Sequence, residues 1–166
     1  RRYDILSERL NKTHHNDYQR YLVKSDEESM FEIRSRLKVH LLDIAKYHHA
    51  RAQKTDNLLE FQEATNWYNI YLKRFPQGDG AAQINFLLAE TLFENKLYAD
   101  AAHEFERSAY EYGNHEYAAE AGYAALVSYT EQDKLLTGTD KKAWNMTSLQ
   151  SALSFARVFY KDPRAP

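Results

Sequence analysis

Apolar residues recur at intervals of three and four along nearly the whole chain, and no run alternates apolar with polar positions as a half-buried strand would. The helix breakers fall between these periodic stretches: all three prolines, Pro76, Pro163 and Pro166, and four of the five glycines, Gly78, Gly80, Gly113 and Gly138. The pattern predicts helices over 3–10, over the short segment "YQRYLV", from "SDEE" to about Lys54, and then over 58–75, 81–94, 97–112, 115–131 and 142–160. Ser25 stands three residues before Glu28, the capping-box spacing, and "TDN" offers an N-cap ahead of Leu58. Four Val and five Ile against thirteen Tyr and eight Phe argue against buried strands, which draw on β-branched aliphatics. The expected class is all-α.

The helices repeat. Sliding the sequence 37 residues onto itself brings Phe61 to Tyr98, Ala64 to Ala101, Tyr68 to Phe105, Phe75 to Tyr112, Pro76 to Gly113 and the pair Ala81-Ala82 to Ala118-Ala119. One helical face stays in register over four turns, together with the residue that stops the helix and the small residues that restart the next. The helix beyond corresponds too, Phe86 falling on Tyr123 and Leu88 on Ala125. A third ending, "SFARVFYKDPRAP", follows at an offset of 47, with the additional ten residues assigned to an insert, "QDKLLTGTDK", at 132–141. The implied unit is a pair of antiparallel helices. It ends in an aromatic, turns at Pro or Gly, and resumes on small residues that allow close packing.

This unit resembles the tetratricopeptide repeat, whose period is about 34 residues. The match is carried by Ala89 where the two helices cross, Tyr98 opening the second helix, Ala101 facing back and Phe105 as the large aromatic; Phe61, Ala64, Tyr68 and Pro76 repeat it one unit earlier. It departs from the family in lacking the Trp of the first helix, in Ala89 where Gly is common, and in Gly113 for the terminal Pro. The resemblance implies an α-solenoid of helix pairs forming a right-handed superhelix. Its parts are an N-terminal helical extension at 1–36, a first pair at 37–76, a second at 81–113 and a third at 115–160, all in one domain spanning 1–166. Within the family, the text from "YLKRFP" to "AYEY" is similar to the longer-period repeats of bacterial envelope lipoproteins and periplasmic coordinators. That similarity implies a periplasmic or outer-membrane-associated scaffold without catalysis, the cytoplasm being the other compartment open to a chain with no cysteine.

In that family the first helix of each pair lines a concave surface. On the 81–94 helix, Ile84, Leu88 and Leu92 make an i, i+4, i+8 packing stripe, which turns Gln83, Phe86, Glu90, Phe93 and Glu94 toward the other side. The positions 37 residues on are Glu120, Tyr123, Val127, Thr130 and Glu131. These ten residues define an aromatic and acidic groove suited to a protein or peptide with basic or aromatic side chains. The competing reading is that the carboxylates are solvated surface and the aromatics pack on a neighbouring helix. The Lys/Asn/Arg clamp with which some relatives hold a C-terminal carboxylate has no counterpart at Gln83, Phe86, Glu90 and Tyr123.

Charge and chemistry narrow the field further. Among 166 residues, 22 basic and 24 acidic side chains give a net charge of −2, so no basic field draws nucleic acid or an anionic membrane. No apolar run approaches the roughly 20 residues that cross a bilayer. Seven histidines, notably "THHN" and "KYHHA", raise the alternative of a helical-bundle metal protein or enzyme built on the N-terminal third. Adjacent helical residues such as His48 and His49 point about 100° apart, however, and no HExxH accompanies them, so packing histidines are the expectation. His40 and Asp43, one turn apart, have the spacing of a local ion pair. No P-loop, dinucleotide or nucleophile-elbow motif is present, and "GDG" sits at a repeat boundary. No cofactor or metal is expected. Trp67 and Trp144 are expected as packing anchors, and "KDPRAP" as a boundary leading into another repeat, so that the last helix presents an apolar face available for self-association.

Overall fold

The computed structural model describes residues 27–78, 80–113 and 115–165. Among them the chain forms α1 (Glu27–Thr55), α2 (Leu58–Arg74), α3 (Ala81–Glu94), α4 (Tyr98–Tyr110), α5 (Ala118–Asp133) and α6 (Gly138–Val158), with no strand. The protein is all-α. The helices expected at 3–10 and in "YQRYLV", and the Ser25 cap, lie outside the described residues. Extensive contacts join α1 to α2, α2 to α3, and so on to α6, so each helix packs mainly on its neighbours in sequence.

α1 buries Leu41, Ala45, His48, His49 and Ala52, an i, i+4, i+7, i+8, i+11 stripe that faces the rest of the molecule. It passes through position 36 without a break, so 27–36 belong to the same helix as the residues after them. Asn57 caps α2 as its sequence position suggests, its Oδ1 accepting the Leu59 N–H at 2.9 Å. The turns ahead of α2 and α4 share one device: a non-glycine residue at positive φ two places before the helix, Asp56 at 47° and Lys96 at 61°. These turns are 40 residues apart while the helical faces are 37 apart. α2 therefore carries nearly one more turn than α4 ahead of its matched aromatic.

Burial reproduces the 37-residue period. Ala81, Ile84, Asn85, Leu88, Thr91 and Leu92 are buried on α3, and their counterparts Ala118, Ala121, Gly122, Ala125, Ser128 and Tyr129 are buried on α5. On α2 and α4, Ala64, Tyr68, Tyr71 and Leu72 answer to Ala101, Phe105, Ser108 and Ala109. Asn85, fully buried, is satisfied from both ends of its amide: Nδ2 donates to Glu104 O at 2.7 Å and Oδ1 accepts from Tyr112 Oη at 3.1 Å, tying α3 to α4 and its C-terminal turn.

α6 starts four residues earlier than expected, and α5 runs on through Asp133, so most of the 132–141 segment is helical and the connection is only 134–137. Thr, Gly and Asp in "TGTD" read equally as loop residues and as a helix start. Asp140 in the first turn of α6 favours the helix, and Lys141 Nζ bonds Asp133 Oδ2 at 2.9 Å across the connection. Trp144 packs on Tyr129, with ring centroids 4.8 Å apart, and donates Nε1–H to Tyr129 O at 2.9 Å. Outward on α6, Met146, Leu149 and Leu153 are each more than half exposed. Among the described residues no helix is long and apolar enough to cross a membrane.

Candidate functional site

A cavity of about 260 Å³ is lined by residues of both α3 and α5. Seven of the ten residues expected to form the groove line it: Phe86, Glu90, Phe93 and Glu94 from α3, and Glu120, Tyr123 and Val127 from α5. Phe105 of α4 and Ala124 of α5 complete the lining. Gln83, Thr130 and Glu131 lie elsewhere. Gln83 is exposed at the start of α3, Thr130 returns its hydroxyl to Leu126 O, and Glu131 pairs with Lys134 Nζ at 2.6 Å.

The aromatics are fixed in place. Phe86 meets Phe105 edge-on at 5.4 Å between centroids and stacks on Tyr117 at 5.8 Å, so only part of its ring is left to the cavity. Phe93 meets Tyr98 edge-on at 5.1 Å. Tyr123 leans on Phe155 of α6 at 6.2 Å, which fixes the ring from behind.

The three carboxylates differ in their partners. Glu94 is engaged from α1 on both oxygens: His49 Nε2 lies 2.9 Å from its Oε2 and Gln53 Nε2 donates to its Oε1 at 2.8 Å. A carboxylate has no proton to give, so His49 donates through Nε2. Its Nδ1 lies 3.2 Å from Thr91 Oγ1 and 3.4 Å from Tyr68 Oη. Burial, and then the Glu90 and Glu94 carboxylates, push the Tyr68 phenol far above its usual range, so it serves as a hydrogen-bond donor. His48 points elsewhere, donating Nδ1–H to buried Glu60 of α2 at 2.7 Å, while Arg51 Nη2 pairs with the other Glu60 oxygen at 2.7 Å. The adjacent histidines thus serve two different helices. Among the described residues no three metal-donor side chains converge.

Glu90 faces the cavity without an ion-pair partner among the described residues. Burial raises its pKa above 4.5, and the charges of Glu94 and Glu120 raise it further.

Glu120 is engaged by a residue that the sequence reading assigned to a repeat boundary. Arg164 Nη1 lies 2.6 Å from Glu120 Oε2, and the guanidinium carbon sits 4.6 Å from the centroid of the Tyr123 ring. Asp162 aims it: Oδ1 accepts from Arg164 Nε and from its backbone N–H, and Oδ2 from Nη2, each at 2.9 Å. These bonds hold the Asp162 carboxyl down at about 2, while Asp162 and then Glu120 raise the Arg164 guanidinium still further. The signal was present as "DPR", since an Asp before Pro readily accepts the backbone N–H two residues on. Nothing in the local text said which helix that arginine would meet.

Comparison with family models, with curated proteins and with solved structures finds no match.

Proposed function

We propose that the protein is a non-catalytic interaction scaffold of tetratricopeptide-like helix pairs, and that the groove between α3 and α5 holds a partner protein segment with basic and apolar side chains. The observation that carries this reading is the joining of an apolar-walled cavity with a carboxylate, Glu90, that has no ion-pair partner among the described residues, beside a second carboxylate and an aromatic ring already engaged by a guanidinium. Pre-positioned aromatics bury a ligand at little cost in conformational entropy, and the carboxylates select a cationic segment over an anionic one. Burial repeated at 37-residue spacing and packing in sequence order support a stack of helix pairs. From the resemblance in sequence, the setting we propose is the bacterial envelope.

The test is selection from a library of short peptides on the immobilised chain, with Tyr123→Ala in parallel. Enrichment of peptides carrying Lys or Arg beside an aromatic or aliphatic residue, lost in the variant, is expected. Enrichment without charge preference, or unchanged by Tyr123→Ala, overturns the assignment.

A further inference from the structure

Arg164 shows what the Glu120–Tyr123 end of the groove accepts. Its guanidinium lies over an aromatic face with one edge on a carboxylate, and Asp162 grips the opposite edge through both oxygens. A planar fork satisfies these three demands together, whereas an ammonium is a point charge and matches only one or two of them. The segment carrying the arginine is short and locally bonded: Asp162 N–H donates to Phe159 O at 2.8 Å and Ala165 N–H to Asp162 O at 2.9 Å. The Glu120 side chain is still 55% exposed and that of Arg164 32%, and ion pairs so open to water are weakly held.

We infer that the Glu120–Tyr123 end of the groove is an arginine seat, that the partner segment enters it with an arginine, and that Arg164 occupies the seat until that arginine displaces it. This rests on the groove reading above and names its partner's chemistry. Of the three carboxylates around the cavity, Glu94 is engaged by His49 and Gln53, Glu120 is lent to Arg164, and Glu90 has no ion-pair partner among the described residues. A segment that places an arginine at Glu120 and an apolar side chain against Phe86 and Val127 leaves Glu90 for a second donor. Because the resident contact is a weak surface pair, Arg164 acts as a mild competitor that lowers partner affinity only a few-fold.

The experiment uses a fluorescent peptide with one arginine flanked by phenylalanine, and matched peptides with lysine or neutral citrulline in its place, titrated by anisotropy into the full chain, Arg164→Gln and Glu120→Gln. The arginine peptide is expected to bind tightest, to gain roughly two- to fivefold in affinity with Arg164→Gln, and to lose at least about threefold with Glu120→Gln. The citrulline peptide is expected to respond to neither variant. Arg164→Lys, which keeps the charge and loses the fork, is expected to fall between the wild type and Arg164→Gln. If arginine and lysine peptides bind alike, or if Arg164→Gln leaves the arginine peptide unchanged, the seat is refuted while the groove reading stands. If no peptide binds any of the proteins, the groove reading falls and takes the seat with it.

Discussion

The α3–α4 and α5–α6 pairs bury matching positions with opposite distributions of volume. α3 fills its own share of the core with Ile84, Asn85 and Leu88, and α4 meets it with Phe105. α5 places Ala121, Gly122 and Ala125 at the same positions, and Phe155 of α6 and Phe159 just past its end move into the space. The polar details run parallel: Thr91 and Ser128, equivalent and fully buried, each bond back to the carbonyl four residues earlier, at 2.8 Å. One pattern of burial is thus met by two ways of dividing the volume, because close packing constrains the sum of facing side chains more than either one.

The largest expected effect comes from emptying the α6 side of this arrangement. Phe155 is fully buried against Gly122 and Tyr123, and Phe155→Ala is expected to cost about 3–5 kcal/mol, read by urea denaturation. In a Trp67→Phe background Trp144 is the sole tryptophan, and its fluorescence should report α6 loosening first. Leu88→Ala, on the helix that fills its own space, is expected to cost about 2–4 kcal/mol and to lower the whole transition. If both variants melt all signals together, the two pairs are one cooperative unit and the contrast loses its energetic meaning.

Gly122→Ala tests the same packing from the opposite direction. A Cβ there would stand 2.9 Å from Phe155 Cδ2 and 2.9 Å from Phe159 Cε2, so overpacking of about 1–3 kcal/mol is expected. Combining it with Phe159→Leu should recover part of that loss.

The smallest effect concerns Glu90, whose counterpart 37 residues on is Val127. Burial raises the Glu90 pKa, so between 4.5 and its folded value the folded chain binds the proton that the unfolded chain has released. Its contribution to stability is greatest below 4.5 and is lost as pH rises through the folded value. Glu90→Gln is therefore expected to match the wild type near pH 4 and to be slightly the more stable at pH 7, by less than about 1 kcal/mol for a side chain only half withdrawn from water. A variant less stable at pH 7 would contradict this sign.

Helices and their period were legible because they depend on spacing. The stripe Ile84, Leu88, Leu92 and its shift onto Ala121, Ala125 and Tyr129 follow from 3.6 residues per turn, and seven groove residues fall together for the same reason. What stayed hidden depends on partners distant in sequence. No local rule joins His49 to Glu94 across 45 positions, or Arg164 to Glu120 across 44. The length of α6 was hidden differently, since "TGTD" satisfies both turn chemistry and a helix start, and tertiary packing of Trp144 and Lys141 decides between them.

The end-to-end order of packing has a mechanical consequence. With each helix leaning mainly on the one before and the one after, tension applied between Glu27 and Ala165 loads these contacts in series and not in parallel. Stretching by optical tweezers should then yield a train of low-force steps, each releasing about one helix pair, with α6 peeling away early and the groove losing one wall only when α5 follows.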